Sequence, residues 1–109
     1  MIPGSVRIFV CTEPVDMRFG FDRLAARIRE ELKEDPQSGS LFIFANRRAT
    51  RLKVLWCERH GICMLYKRLH RASFEVPSDG QSVAVTIDAG QLAKLLAGVP
   101  RGERPGRSR

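Results

Sequence analysis

No stretch of this chain approaches the roughly 20 consecutive apolar residues of a membrane-spanning helix. Its start, MIPGSVRIFV, also lacks the basic region and long apolar run of a secretion signal. Both absences predict a cytoplasmic protein with no membrane partner. Cysteine is scarce: Cys11, Cys57 and Cys63 are an odd number without an export signal, which argues against a disulfide framework and for reduced thiols. Aromatic residues are also few. The single tryptophan and single tyrosine, Trp56 and Tyr66, read first as core residues and only second as platforms for nucleic-acid bases. No glycine-rich phosphate loop or nucleophile elbow organises the serines, histidines and aspartates, so the chain is not expected to be an enzyme. Nothing points to a cofactor or a small-molecule substrate, and no internal repeat is present.

What the sequence does have is positive charge, concentrated in one place. The 109 residues carry a net charge of +7. Residues 47–71 alone hold eight lysines and arginines against one acidic residue, whereas residues 1–46 and 72–100 are both slightly acidic. Evenly scattered lysines would read as solubility; a block of this kind reads as the footprint of a polyanion, nucleic acid first. At 43% hydrophobic and 28% charged, the chain has the composition of a folded protein, and its length fits one domain.

Val6, Ile8 and Val10 alternate with Arg7 and Phe9, the period of a strand. Phe21, Leu24, Ala25, Ile28 and Leu32 fall at helical spacing, and Asp35-Pro36 is expected to stop that helix. Three strands are predicted next, Leu41–Ala45, Leu52–Cys57 and Ile62–Leu69, joined by gaps too short for anything but antiparallel neighbours. Val83–Ile87 gives another strand. Asp88 and Gln91 form a capping box for a helix over Ala89–Ala97 that ends at Gly98. The expected architecture is β-α-β-β-β-β-α, an α+β domain over residues 1–98, with an antiparallel meander and both helices against one face. Residues 99–109 should be a disordered basic tail.

In such a meander the end of the third strand runs back towards the turn after the first. Arg47, Arg48, Arg51 and Lys53 would then meet Lys67, Arg68 and Arg71 at one rim, facing phosphates spaced ~1.7 Å along a duplex axis. The competing reading is a solvated face whose arginines pair with Glu30, Glu34 or Asp35. Cys57, His60, Cys63 and His70 form C-x2-H-x2-C-x6-H, a ligand set that suits tetrahedral zinc. The spacing has no physical precedent as a zinc pattern, His60 falls in a predicted tight turn, and the cysteines read equally as small core residues. No metal is expected.

The stretches DMRFGFDRLA (16–25), DPQSGSLFIFANRR (35–48), KVLW (53–56) and YKRL (66–69), in this order, resemble the TnpB accessory protein of bacterial insertion sequences of family sixty-six, its second open reading frame. The likeness runs from Met1 to about Gly98. It implies a non-catalytic protein that acts beside a transposase, which performs the cutting and joining. The family's D-M-R-x-G-F-D element falls on Asp16, Met17, Arg18, Gly20, Phe21 and Asp22, its R-R turn on Arg47 and Arg48, and its K-R-L element on Lys67, Arg68 and Leu69. The chain departs from the pattern at Cys57–Gly61, at His70–Phe74 and at Val76-Pro77, where aromatic surface is lost. Asp16 is expected to cap the first helix and pair with Arg18, with transposase contact as the alternative role. Two functions follow: DNA binding, at the element's ends, through the basic rim; or an adaptor that docks on the transposase through apolar surface and the Asp16–Asp22 segment.

Overall fold

The computed structural model describes residues 6–100. The elements are β1 (Ile8–Cys11), α1 (Phe21–Arg27) running into a π-helical turn (Ile28–Leu32), β2 (Leu41–Ala45), β3 (Arg51–Glu58), β4 (Gly61–Arg68), β5 (Ala72–Ser73), β6 (Ala84–Ile87), α2 (Ala89–Ala97) and β7 (Val99–Pro100). Five strands form one sheet in the order β4-β3-β2-β1-β6, and β5 pairs with β7 in a separate two-stranded ribbon. The α+β class with two helices and a mostly antiparallel sheet agrees with the sequence reading.

Three features depart from it. β1 and β2 run parallel, because α1 lies between them and supplies a crossover long enough for a parallel pair. The β5–β7 ribbon is too short for any periodicity to reveal. The helices also cover opposite faces. Leu24, Ile28 and Leu32 pack on Phe9, Phe42, Phe44 and Leu55, whereas Leu95 packs on Ile8, Val10, Ile43, Leu52 and Val54 of the other face. The cause lies in the strands: all four residues of β1 are buried, so the sheet has two apolar faces and each must be covered. Phe9 and Phe42 stack at 5.3 Å between centroids, seating α1 over the parallel pair.

The first helix ends before the predicted stop. The main chain turns left-handed at Lys33 (φ 58°), and its amide closes a wide turn on the Ile28 carbonyl. Asp35 instead organises the turn that follows, accepting from the Gln37 amide at 2.9 Å. The capping box of α2 forms as read, with Asp88 accepting from the Gln91 amide at 2.7 Å and Gln91 accepting from the Asp88 amide at 2.8 Å. Val99 and Pro100 pair with Ser73 and Ala72; the rest of the expected tail, 101–109, lies outside the described residues.

Gly98 links α2 to that ribbon at φ 76°, ψ 177°, a region only glycine adopts without strain. A Cβ there would stand 2.6 Å from Leu69 Cδ1 and 3.2 Å from the Ser73 carbonyl oxygen. Gly98→Ala is expected to cost about 2 kcal/mol, combining backbone strain with this overlap. Thermal unfolding should show a fall in Tm of about 10 °C; an unchanged Tm would contradict this account of the linker.

Candidate nucleic-acid interface

The turn between β2 and β3 is built by one side chain. Asn46 Oδ1 accepts from the amides of Thr50 and Arg51, both at 2.9 Å, while the Asn46 amide donates to the Arg51 carbonyl at 3.1 Å. Ala49 takes the left-handed conformation needed to close the loop (φ 56°). Its carbonyl accepts from the Phe74 amide and that of Thr50 from the Leu69 amide, tying the turn to the segment after β4. Arg47 and Arg48 stand exposed at the tip. Asn46 was not singled out from sequence, although an asparagine beginning a short loop between strands is a known turn signal.

The register of β3 on β4 places Arg51 directly opposite Arg68. Arg68 and Arg71 are exposed, and Arg51 is half-buried. The two ends of the basic block therefore meet at one end of the sheet. Ion pairs among the described residues join Arg7 to Glu34 (3.8 Å), Arg18 to Asp16 (2.7 Å) and Arg27 to Glu31 (3.2 Å), and none involves these five arginines.

The two lysines of the set are employed elsewhere. Lys53 shares the α1 face with Leu55 and is only 7% exposed. Its ammonium donates to the carbonyls of Met17 (2.6 Å) and Phe19 (2.8 Å) and lies 5.2 Å from the centre of the Tyr66 ring. Lys67 donates to the Leu96 carbonyl at 2.7 Å, in the last turn of α2, where carbonyls lack intrahelical partners and a cation is favoured. One serves as a fastener for the loop before α1, the other for the end of α2. The sequence held a sign of the first: Lys53 shares parity with Leu55 inside the run Leu52–Trp56, so its face is a buried one.

Asp16 and Arg18 pair as expected, with Arg18 Nε and Nη2 donating to both carboxylate oxygens. Asp16 does not cap α1, however. It accepts from the Arg18 amide at 2.8 Å and orders the turn two residues on, while the helix begins at Gly20 with no side-chain cap. The Arg18 hydrogen bonds hold the Asp16 carboxyl down at about 2. Asp79 is held at about 2 by the Ser82 hydroxyl, then by the amides of Ser82 and Gln81. Asp22 and Gly20 are exposed at the start of α1.

The cysteine and histidine set is not assembled. Cys57 lies opposite Ile62, which packs on the α1 face, and Cys63 lies opposite Trp56, which packs on the α2 face, so the two thiols point to opposite sides of the sheet. Burial pushes all three thiols up. Among the described residues, no three histidine, cysteine, aspartate or glutamate side chains come together as a metal site would require. No helix among them is long and apolar enough to cross a membrane.

With this arrangement in view, the comparisons agree with the sequence resemblance. The family model of IS66 Orf2-like proteins matches residues 6–104, and the chain belongs to that family. It is similar to two proteins of Sinorhizobium fredii, each described as uncharacterized: y4hO, 42% identical over 91% of this chain and 87% of that protein, and y4jC, 32% identical over 87% and 80%. No solved structure matches. Membership links the chain to an accessory role in transposition.

Two outcomes test the roles given to these side chains. Lys53→Met keeps the length of the stem and removes the donor from two carbonyls, at an expected cost of about 2 kcal/mol. Amide exchange should accelerate selectively over residues 16–20; equal exchange in both proteins would refute the fastener. The folded pKa values of Asp16 and Asp79 lie below those of the unfolded chain, so their contributions are present above about pH 4 and are lost as pH falls towards 2. Asp16→Asn should therefore lose less stability than the native chain between pH 4 and 2, and carboxyl titration by NMR should give midpoints near 2 for both residues.

Proposed function

We propose that this protein assists transposition without catalysing it, by gripping the DNA backbone at the end of its sheet through Arg47, Arg48, Arg51, Arg68 and Arg71. One observation carries the proposal. Arg51 and Arg68 are strand partners, Arg47 and Arg48 lie in the turn before β3, Arg71 lies in the segment after β4 that is bonded to that turn, and none of the five is paired with a carboxylate among the described residues. Arg51 and Arg68 are directly opposite, an arrangement that destabilises a sheet in isolation and that a phosphate between them would relieve. Guanidinium binds phosphate through paired donors and is less strongly hydrated than ammonium, which suits arginine to this surface. Lys53 and Lys67 are left out, since their ammonium groups are already coordinated. In this reading the rim contacts backbone, and such contacts set orientation rather than base sequence.

The adaptor reading has one observation in its favour: Phe21 is 44% exposed, beside Asp22 and close in sequence to the Asp16–Arg18 pair. The two readings respond differently to salt. Five phosphate contacts predict a log–log slope of about −4 to −5, a loss of affinity of a few hundred-fold between 50 and 200 mM salt. Anisotropy of a labelled element-end duplex should follow that slope for the native chain. The triple variant Arg47→Glu, Arg48→Glu, Arg68→Glu should lose binding, and Lys94→Glu, on exposed α2 surface, should not. Equal binding by the triple variant and the native chain would reject the DNA reading. Retention of the transposase by the triple variant and its loss in Phe21→Ser would establish the adaptor.

A further inference from the structure

The outer edge of β4 is an unblunted sheet edge. β4 is eight residues long and ends the five-stranded sheet, with no strand among the described residues on its far side. Free strand edges are templates for pairing with another chain, and proteins generally disarm them with charge, proline, bulges or brevity. The opposite edge, β6, is four residues long. β4 shows none of these devices over Ile62-Cys63-Met64-Leu65-Tyr66, five consecutive uncharged residues. Two of them, Leu65 at 43% and Tyr66 at 51%, are among the most exposed large hydrophobic side chains of the described residues. The first charge after them, Lys67, turns inward to the Leu96 carbonyl.

We propose that β4 is the seam of a homodimer, pairing antiparallel with β4 of a second copy about a two-fold axis through Leu65. A two-fold perpendicular to the sheet puts residues of equal parity opposite one another, because opposite side chains must share a face. Centred on Leu65, this register covers Leu65 with its own copy on the α2 face. On the α1 face it sets Tyr66 of each copy on Met64 of the other, a favourable sulfur–aromatic contact. Arg68 then falls opposite Ile62. A shift to a centre at Met64 would leave Leu65 on Cys63 and bring Arg68 against His60, a poorer fit in both shape and charge. The strand carries its own complement, and this favours a second copy over an unrelated strand.

A ribbon of eight residues a side is a small interface, so the dimer should be weak, half-formed at concentrations on the order of tens of micromolar. Its salt response has a definite sign. Each copy carries +7, and raising the salt screens the repulsion between copies. Salt therefore tightens the dimer, the reverse of its effect on a phosphate contact, and the dimer does not depend on the DNA reading.

Sedimentation of the native chain from 1 to 200 µM should show a monomer–dimer equilibrium that shifts towards dimer as salt rises. Leu65→Lys, which places a charge on the edge, should weaken the dimer at least tenfold with little change in Tm. In a Cys57→Ser, Cys63→Ser background, Leu65→Cys should oxidise to a covalent dimer, since directly opposite Cα atoms lie about 4.5–5.5 Å apart, within disulfide reach. Thr86→Cys on β6 should remain monomeric. A chain monomeric at 200 µM, a dimer indifferent to Leu65→Lys, or crosslinking through Thr86→Cys and not Leu65→Cys would each overturn the proposal.

Discussion

Lys53 holds its ammonium group beneath the loop that precedes α1, and much of the molecule's arrangement follows from that contact. An ammonium is costly to take out of water unless its donors are satisfied. Here two carbonyls, Met17 and Phe19, and the face of Tyr66 surround it. The benefit is local order in the loop that leads into the helix. α1 starts at Gly20 without a capping side chain, so its position depends on the loop before it. That loop is pinned from below by a strand and stiffened from outside by the Asp16–Arg18 pair. Once α1 is set, its wide final turn brings Ile28 and Leu32 onto the Phe9–Phe42 stack, and the parallel β1–β2 pair is closed over.

Lys53 and Lys67 sort the basic block into two groups. Long lysine stems cross apolar surface and deliver a charge to backbone carbonyls, one before a helix and one at a helix end. The arginines remain at the sheet end, held there by the Asn46 turn and by the register that sets Arg51 across from Arg68. Folding alone does not require that pairing. Like charges directly opposite work against the sheet, and no ion pair with a carboxylate among the described residues offsets them.

The sequence disclosed this division unevenly. Period and punctuation located the principal strands and both helices, and the Asp88–Gln91 box appeared where it was read. The convergence of Arg47, Arg48 and Arg51 on Arg68 and Arg71 was also legible, because short gaps force antiparallel neighbours and an antiparallel neighbour returns to the same end. Two things were not legible, and a third was legible but misread. Alternation in β1 set Arg7 and Phe9 apart from Ile8 and Val10 but could not reveal that Phe9 would be covered by a second layer, since a strand buried on both faces loses its polar phase. The parallel pairing of β1 with β2 depends on where the crossover lands, a property of the tertiary fold. Lys53 was grouped with the rim because charge was counted along the chain, whereas its parity with Leu55 assigns it to the interior.

Two covered faces also determine where this small protein can meet anything else. With α1 on one side and α2 on the other, little flat sheet surface is available, and what remains are the strand ends and the two sheet edges. At the end near Asn46, Arg47, Arg48, Arg68 and Arg71 are exposed and Arg51 is half-buried. β6 is short, whereas β4 keeps eight residues of free edge and its exposed Leu65 and Tyr66. The cationic end and the apolar edge share the residues around Arg68, and the two proposals made for them differ in the sign of their salt response. Partners that neutralise the first would lower the repulsion that opposes closure of the second. A polyanion held at the sheet end would therefore favour pairing of two copies along β4, coupling the two surfaces through charge alone and without any change of fold.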